Sequence, residues 1–340
     1  MQPSVYFVTG STGLLGSNLV KMLIEKGACV KALAHNLEKA EIQFAGLERV
    51  EIIQGDIDDI SSFKDALTGC AAVFHTTTFF RDKFAEGVED EKEMAEINVE
   101  GTQALLEAVY DAGIRDFVYT SSVAVLDGPR GSLIDESCER SLDTTDDYYR
   151  AEILSEQAVR RFTGVEKDMR NYFILPGWIW GPGDMTPTAA GQLVLDILYG
   201  NLPASIPGSF SVVDARDVAE AMIAVLTHGR PSERYLVGGT HILTKDLITL
   251  VGETANVETP SFVLPVPILY GAAIAQEVFN KITGKKAGTS LSAARVLIKE
   301  ANRTHFSSQK CETELKVFTR PLEETIKDTV QWYLDNGYVQ

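Results

Sequence analysis

The run Thr9-Gly10-Ser11-Thr12-Gly13-Leu14-Leu15-Gly16 restricts the fold more than any other stretch of this chain. Its glycines are spaced GxxGxxG, between the β-rich Val5-Tyr6-Phe7-Val8 and a helical stretch from Leu14 to Glu25. Gly10 permits a tight turn, Gly13 lets a ligand approach the backbone, and Gly16 permits close packing of helix on sheet. A strand that feeds a helix through such a turn gathers the helix's first amides at one spot, which favours a phosphate group. The reading is a pyrophosphate cradle made by Gly10, Thr12, Gly13, Leu14, Leu15 and Gly16, as in a dinucleotide site. A glycine-rich turn with no ligand is the plainer alternative.

The chain beyond this loop has the texture of a sheet that such a turn could serve. Short β-rich runs at Val30–Ala34, Val50–Ile53, Ala72–His75 and Phe117–Thr120 alternate with helical stretches. One helix is predicted from near Asn98 to Asp111 and another over Asp147 to Phe162, with a further strand approached through Asp168 to Leu175. Strands separated by helices call for a mostly parallel sheet covered on both faces. The fold class is therefore α/β, a Rossmann-type doubly wound parallel sheet, joined by a smaller, mostly helical C-terminal part.

After Trp180-Gly181-Pro182-Gly183-Asp184 the texture changes to loop and helix with several Gly and Pro. An amphipathic helix is predicted from Val213, a returning strand over Arg234 to Val237, and largely helical chain from Leu243 to about Thr304. A last helix covers Pro321 to Tyr333. The expected division is a dinucleotide-binding domain over 1–184 with a returning segment near 212–238. A substrate-binding part takes 185–211 and 239–340.

With 340 residues the chain can bury a core of that size. Its formal net charge of -17 repels phosphate backbones and anionic membranes, which argues against nucleic acid as a partner and leaves a small-molecule substrate. Cys29, Cys70, Cys138 and Cys311 form no paired motif and read as reduced thiols of a cytoplasmic protein. The apolar stretch from Phe262 to Phe279 is broken by Pro265, Pro267, Gln276 and Glu277, so it suits a pocket helix and not a stable membrane span. His35, His75, His228, His241 and His305 lack metal-ligand spacing, and no metal site is expected.

Cofactor choice rests on the end of the second strand, Ala32-Leu33-Ala34-His35-Asn36, with Lys39 nearby and no acid before Glu38. A carboxylate there would hydrogen-bond the adenosine ribose and favour NAD. The neutral or partly basic set His35, Asn36 and Lys39 suits a 2′-phosphate, so NADP is expected, with NAD as the alternative. Asp56 and Ile57 come after the third strand, where a carboxylate could accept from the adenine amino group. His75-Thr76-Thr77 ends the fourth strand at the ligand edge; Thr76 and Thr77 are placed at the cofactor, and His75 reads as a packed residue.

Further motifs complete a pattern: Asn98-Val99-Glu100-Gly101-Thr102, Tyr119-Thr120-Ser121-Ser122, Tyr148, and Pro176-Gly177-Trp178-Ile179-Trp180-Gly181-Pro182. VVDARDVAEAM at 212–222 and FSSQKCETEL at 306–315 extend it. As a set these resemble the extended short-chain dehydrogenase/reductase family, the NAD-dependent epimerase/dehydratases, along essentially the whole chain. They look most like its dihydroflavonol-reductase-like and hopanoid-associated epimerase branch. The resemblance implies a serine, a tyrosine and a lysine four residues later that carry the reaction, with a supporting asparagine. Ser122, Tyr148 and Asn98 match, and Pro176 would lie beside the nicotinamide. Members often dimerise through two helices of the first domain, so the regions 98–112 and 147–162 are where a homodimer would form.

The lysine position holds Glu152. In the family the lysine lowers the phenol's pKa and bonds the nicotinamide ribose. A carboxylate one helical turn from Tyr148 disfavours the phenolate, although it could still accept from ribose hydroxyls. Leu175 departs too, from an arginine common in relatives. Trp178 and Trp180 read equally as core packing and as substrate contact. The expectation is an NADP-dependent oxidoreductase interconverting a carbonyl and an alcohol on a small, fairly apolar substrate through an atypical Ser-Tyr-Glu site. The alternatives are a nucleotide-sugar epimerase/dehydratase and a catalytically weak dinucleotide-binding protein.

Overall fold

The computed structural model describes residues 3–76, 91–143, 147–163, 168–268, 271, 300 and 302–339; for 91–98 and 147–148 the description covers the backbone alone. Seven parallel strands form the main sheet: β1 (Val5–Thr9), β2 (Cys29–Ala34), β3 (Val50–Gln54), β4 (Ala72–His75), β5 (Asp116–Thr120), β6 (Arg170–Pro176) and β9 (Arg234–Val237). Their order is β3-β2-β1-β4-β5-β6-β9. The order reverses between β1 and β4, and the crevice at the carboxyl ends there is where sheets of this kind hold ligands.

Alternation along each strand builds a core on both faces. Val8, Phe74, Val118 and Ile174 point to one side, beneath α1 (Leu14–Glu25) and α6 (Ala215–His228). Phe7, Val73, Phe117 and Phe173 point to the other, beneath α3 (Glu91–Asp111) and α4 (Asp147–Phe162). Between these helices in sequence lie the short α2 (Leu37–Gln43) and α5 (Ala189–Leu198). Cys311, Leu315 and Val317, from far along the chain, complete the first of these cores.

A second sheet of three strands, β7 (Trp178–Trp180), β8 (Ser209–Asp214) and β10 (Thr240–Leu243), runs in the order β10-β8-β7. With α5, α7 (Thr244–Ala255) and α8 (Leu322–Asp335) it encloses a third core around Trp180, Val194, Leu247, Ile326 and Tyr333. Gly177 joins the two sheets: a Cβ there would sit 2.5 Å from the Gly238 carbonyl and 2.6 Å from that of Ser211.

Several boundaries differ from those expected. The third helix starts at Glu91, not near Asn98, because the acidic run before Asn98 contains helix formers and no breaker. Val213 and Asp214 end β8 and do not begin a helix; the Asp214 carboxylate accepts from the Arg216 amide at 2.8 Å and caps the helix from Ala215 onward. The small sheet was not expected, since three residues behind a Pro-Gly carry too little periodicity to declare a strand. In the region from Leu243 to Thr304, helix α7 stops where Asn256 turns left-handed (φ 55°), and Val263 then pairs with Ser205 in extended chain. Most of the apolar stretch 262–279 lies outside the described residues. No helix among the described residues is long and apolar enough to cross a membrane.

Candidate active site

The turn after β1 has the geometry a phosphate needs. Gly10 is left-handed at φ 63°, and its carbonyl accepts from the Gly13 amide at 3.0 Å. A Cβ on Gly16 would lie 2.1 Å from the Gly10 carbonyl oxygen, so only glycine lets the helix come this close. No side chain caps the N-terminus of α1, whose cap residue is Gly13. Its first amides are thus open to an anionic ligand. The Ser11 hydroxyl ties the turn to β2 by donating to the Leu33 carbonyl at 2.7 Å.

A cavity of about 420 Å³ opens from this loop. Gly10, Gly13, Leu14, Leu15 and Gly16 line it. Thr76 after β4, Ser122 after β5, Glu152 on α4 and Pro176 at the end of β6 line it as well. The Thr76 hydroxyl donates to the Thr9 carbonyl at 2.7 Å, fastening the neighbouring strand ends. Ser122 caps a short 3-10 turn, its hydroxyl accepting from the Ala124 amide at 3.1 Å. The side chains of Asn98 and Tyr148, and Thr77 altogether, lie outside the described residues.

His35, Asn36, Lys39 and Asp56 lie after the ends of β2 and β3, outside the cavity lining. His35 Nδ1 and Asp56 Oδ2 are 2.9 Å apart, both on the surface. Asn36 caps α2 by accepting from the Lys39 amide at 2.9 Å, and Lys39 Nζ donates to the Thr186 hydroxyl, also at 2.9 Å. Thr12 is half-buried in the glycine turn, and Ile57 packs in the core with Leu33 and Phe63.

Sequence reasoning missed the scaffold that holds the Ser122 loop. Glu156, fully buried on α4, accepts from the Ser121 hydroxyl at 2.5 Å, from Arg160 Nε at 2.9 Å and from Arg234 Nε at 2.7 Å. One carboxylate therefore ties β5 to α4 and to β9. Its signal in the sequence was Glu156 four residues beyond Glu152, one helical turn further along the same face. Tyr149, Arg140, Glu300, Arg303 and Phe306 also line the cavity and were not anticipated. Burial, with Glu152 and Glu156 adding to it, holds the Tyr119 phenol far above its ordinary range. Trp178 lines the cavity, while Trp180 is fully buried in the third core.

His75 is a packed residue. It is 1% exposed, contacts the Thr9 hydroxyl through Nδ1 at 2.8 Å, and stacks on Phe117 and Tyr119. Burial pushes its pKa down from 6.5 to about 4. Above pH 6.5 the ring is neutral in folded and unfolded chains alike. Between pH 6.5 and about 4 only the unfolded chain takes up the proton, so stability is lost as the pH falls. The total loss is about 3 kcal/mol. Urea titrations across this window should show the decline, and His75→Phe should flatten it; an equal slope in both proteins would exclude the imidazole as its source.

Among the described residues no three or more His, Cys, Asp or Glu side chains group to hold a metal. The glycine cradle, the strand order and the crevice beside Ser122 together define a dinucleotide-binding enzyme core. The chain belongs to the NAD dependent epimerase/dehydratase family, whose model matches residues 6–238, and its relatives include proteins named as reductases and dehydrogenases. It is 28% identical to sterol demethylase protein B of Methylococcus capsulatus, over 98% of this chain and 99% of that one. It is 31% identical to cinnamoyl-CoA reductase 1 of Arabidopsis thaliana, over 68% and 69% of the two chains. The crystal structure of gox2253 superposes with a TM-score of 0.84 at 30% identity, over 99% of this chain and 100% of that one.

Proposed function

We propose that the protein is an NADP-dependent oxidoreductase interconverting a carbonyl and an alcohol on a small, fairly apolar substrate. The observation that carries this reading is one cavity lined together by the glycine turn, Ser122, Glu152 and the apolar Trp178, Ile179 and Phe306. A dinucleotide laid on the glycine turn would have its reactive end in the same space as an apolar substrate. Bound there, the cofactor supplies or accepts a hydride.

The chain's own residues do the rest. Gly10, Gly13 and Gly16 would admit a pyrophosphate to the open amides of α1, and Pro176 would lie beside the nicotinamide. The Ser122 hydroxyl orients the substrate oxygen, and Tyr148 exchanges its proton, with Asn98 in support. Glu152 would accept from the nicotinamide ribose in place of the lysine. The apolar Trp178, Ile179 and Phe306 in the lining favour a hydrophobic carbonyl compound over a nucleotide-sugar.

The preference for NADP rests on His35, Asn36 and Lys39, with Lys39 released from Thr186 to meet the 2′-phosphate. Asp56, which pairs with His35, is also engaged by the Asp58 amide. Fluorescence titration should give tighter binding of NADPH than of NADH. Lys39→Ala should weaken NADPH by about tenfold and leave NADH unchanged, the size of one charge-assisted contact. Equal loss for both cofactors would assign Lys39 to the loop alone, and tighter NADH binding by the wild type would overturn the preference. A folded protein that binds neither would remove the oxidoreductase reading.

A further inference from the structure

Ser122 sits in a short turn, and its own hydrogen bonds are local. Its hydroxyl accepts from the Ala124 amide at 3.1 Å and its carbonyl from the Val125 amide at 3.2 Å, so neither bond sets where the turn stands in the cavity. Longer-range contacts do that at each end. At the far end the Arg140 amide donates to the Val125 carbonyl at 2.9 Å, and Arg140 Nε donates to the Leu126 carbonyl at 3.1 Å. At the near end Ser121 is held twice. Its amide donates to the Ile174 carbonyl on β6 at 2.8 Å, and its hydroxyl donates to Glu156 Oε2 on α4 at 2.5 Å.

Glu156 divides its two oxygens between two tasks. Oε2 serves Ser121, while Oε1 receives Arg160 Nε at 2.9 Å and the Nε and Nη2 of Arg234 at 2.7 and 2.6 Å. Arg160 belongs to α4 itself, so it fixes the carboxylate only relative to its own helix. Arg234 comes from β9, two places beyond β5 in the sheet, and ties the carboxylate to the sheet. Glu156 is 1% exposed and the Arg234 side chain 11%, so solvent screens this contact little. Neither residue is among those that line the cavity, whereas Ser121 is. The two guanidinium groups would satisfy a carboxylate that served the fold alone; here its other oxygen is aimed at the residue next to Ser122. A side chain that orients a reacting atom has to be held within about 0.5 Å, and looser placement lowers the rate.

We propose that Glu156 and, through it, Arg234 are positioning residues for the reaction, setting the place of Ser122 by way of the Ser121 hydroxyl. The proposal rests on the reading of Ser122 as the group that orients the substrate oxygen.

The test reads kcat and KM for NADPH-dependent reduction of 3-phenylpropanal, NADPH affinity, and hydrogen exchange of the 121–126 amides without cofactor. Ser121→Ala removes the hydroxyl and leaves both arginine contacts of Glu156 in place. It should lower kcat about tenfold, leave NADPH affinity unchanged and quicken exchange in 121–126. Arg234→Gln, outside the cavity, should lower kcat about threefold with the same local change in exchange. Glu156→Gln keeps the size of the side chain and a hydrogen-bonding partner for Ser121, so it should fall between the wild type and Ser121→Ala. The double variant Ser121→Ala/Arg234→Gln should be no slower than Ser121→Ala alone, because Arg234 acts through that hydroxyl. If Arg234→Gln shows no cooperative urea transition, Glu156→Gln takes its place in the pair. Unchanged kcat or unchanged exchange in Ser121→Ala, a loss of NADPH affinity equal to the loss in kcat, or multiplied losses in the double variant would each overturn the proposal. Failure of the oxidoreductase reading shows in the wild type alone, as neither NADPH binding nor turnover, and takes the proposal with it; failure of the positioning shows only in variants of an active wild type.

Discussion

Glu152→Lys is expected to raise the rate of NADPH-dependent carbonyl reduction by about tenfold or more, and to move the pH profile of alcohol oxidation to lower pH by about one unit or more. Glu152 is buried on α4, lines the cavity, and stands one helical turn from Tyr148. A carboxylate there opposes the negative charge that develops on a phenol giving up its proton. A lysine supports it, and a charge at this distance shifts such an equilibrium by about 1–3 pKa units. Glu152→Gln, which removes charge without adding any, should fall between the two. The measurement is kcat/KM against pH for all three proteins on one apolar aldehyde. If the lysine variant binds NADPH and gains nothing, Glu152 is not beside the proton-transferring group and the proposed Ser-Tyr-Glu assignment fails.

Two neighbouring glycines should separate binding from folding. Gly16→Ala is expected to cost about 4 kcal/mol of stability, because its methyl group would meet the Gly10 carbonyl at 2.1 Å and neither backbone can retreat. Gly13→Ala places a methyl group 3.3 Å from the same oxygen, a contact that a small shift relieves, so its stability should stay near that of the wild type. That methyl group instead occupies the approach to the open amides of α1, so NADPH affinity should drop by a factor of about ten or more. Urea denaturation and NADPH titration of both variants test the contrast. A stable Gly16→Ala protein would show that the turn relaxes, and an unaltered NADPH affinity in Gly13→Ala would move the phosphate away from α1.

These contrasts mark what the sequence could and could not reveal. The main sheet was legible because each strand is separated from the next by chain of suitable length and carries residues that favour buried strands, as in Val5–Thr9 and Ala72–His75. The glycine turn was legible because its chemistry is local. Ser122, Glu152 and Pro176 were found through family resemblance, and all three line the cavity. Arg140, Arg303 and Glu156 were not legible. Their importance comes from partners distant in sequence, as when Arg140 meets Glu300 or Arg234 meets Glu156. A buried ion pair leaves no period in the sequence. The small sheet escaped notice for a related reason: β7 is three residues long, and pairing with β8 is what makes it a strand.

The first core has a consequence for how the chain is made. Cys311, Leu315 and Val317 pack against α6, and β9 closes the far edge of the main sheet. A ribosome releases the glycine turn early, yet the layer beneath α1 and α6 cannot close until residues 311–317 have emerged. During synthesis the nascent cofactor half therefore waits with apolar surface uncovered, and chaperones have a defined interval in which to bind it.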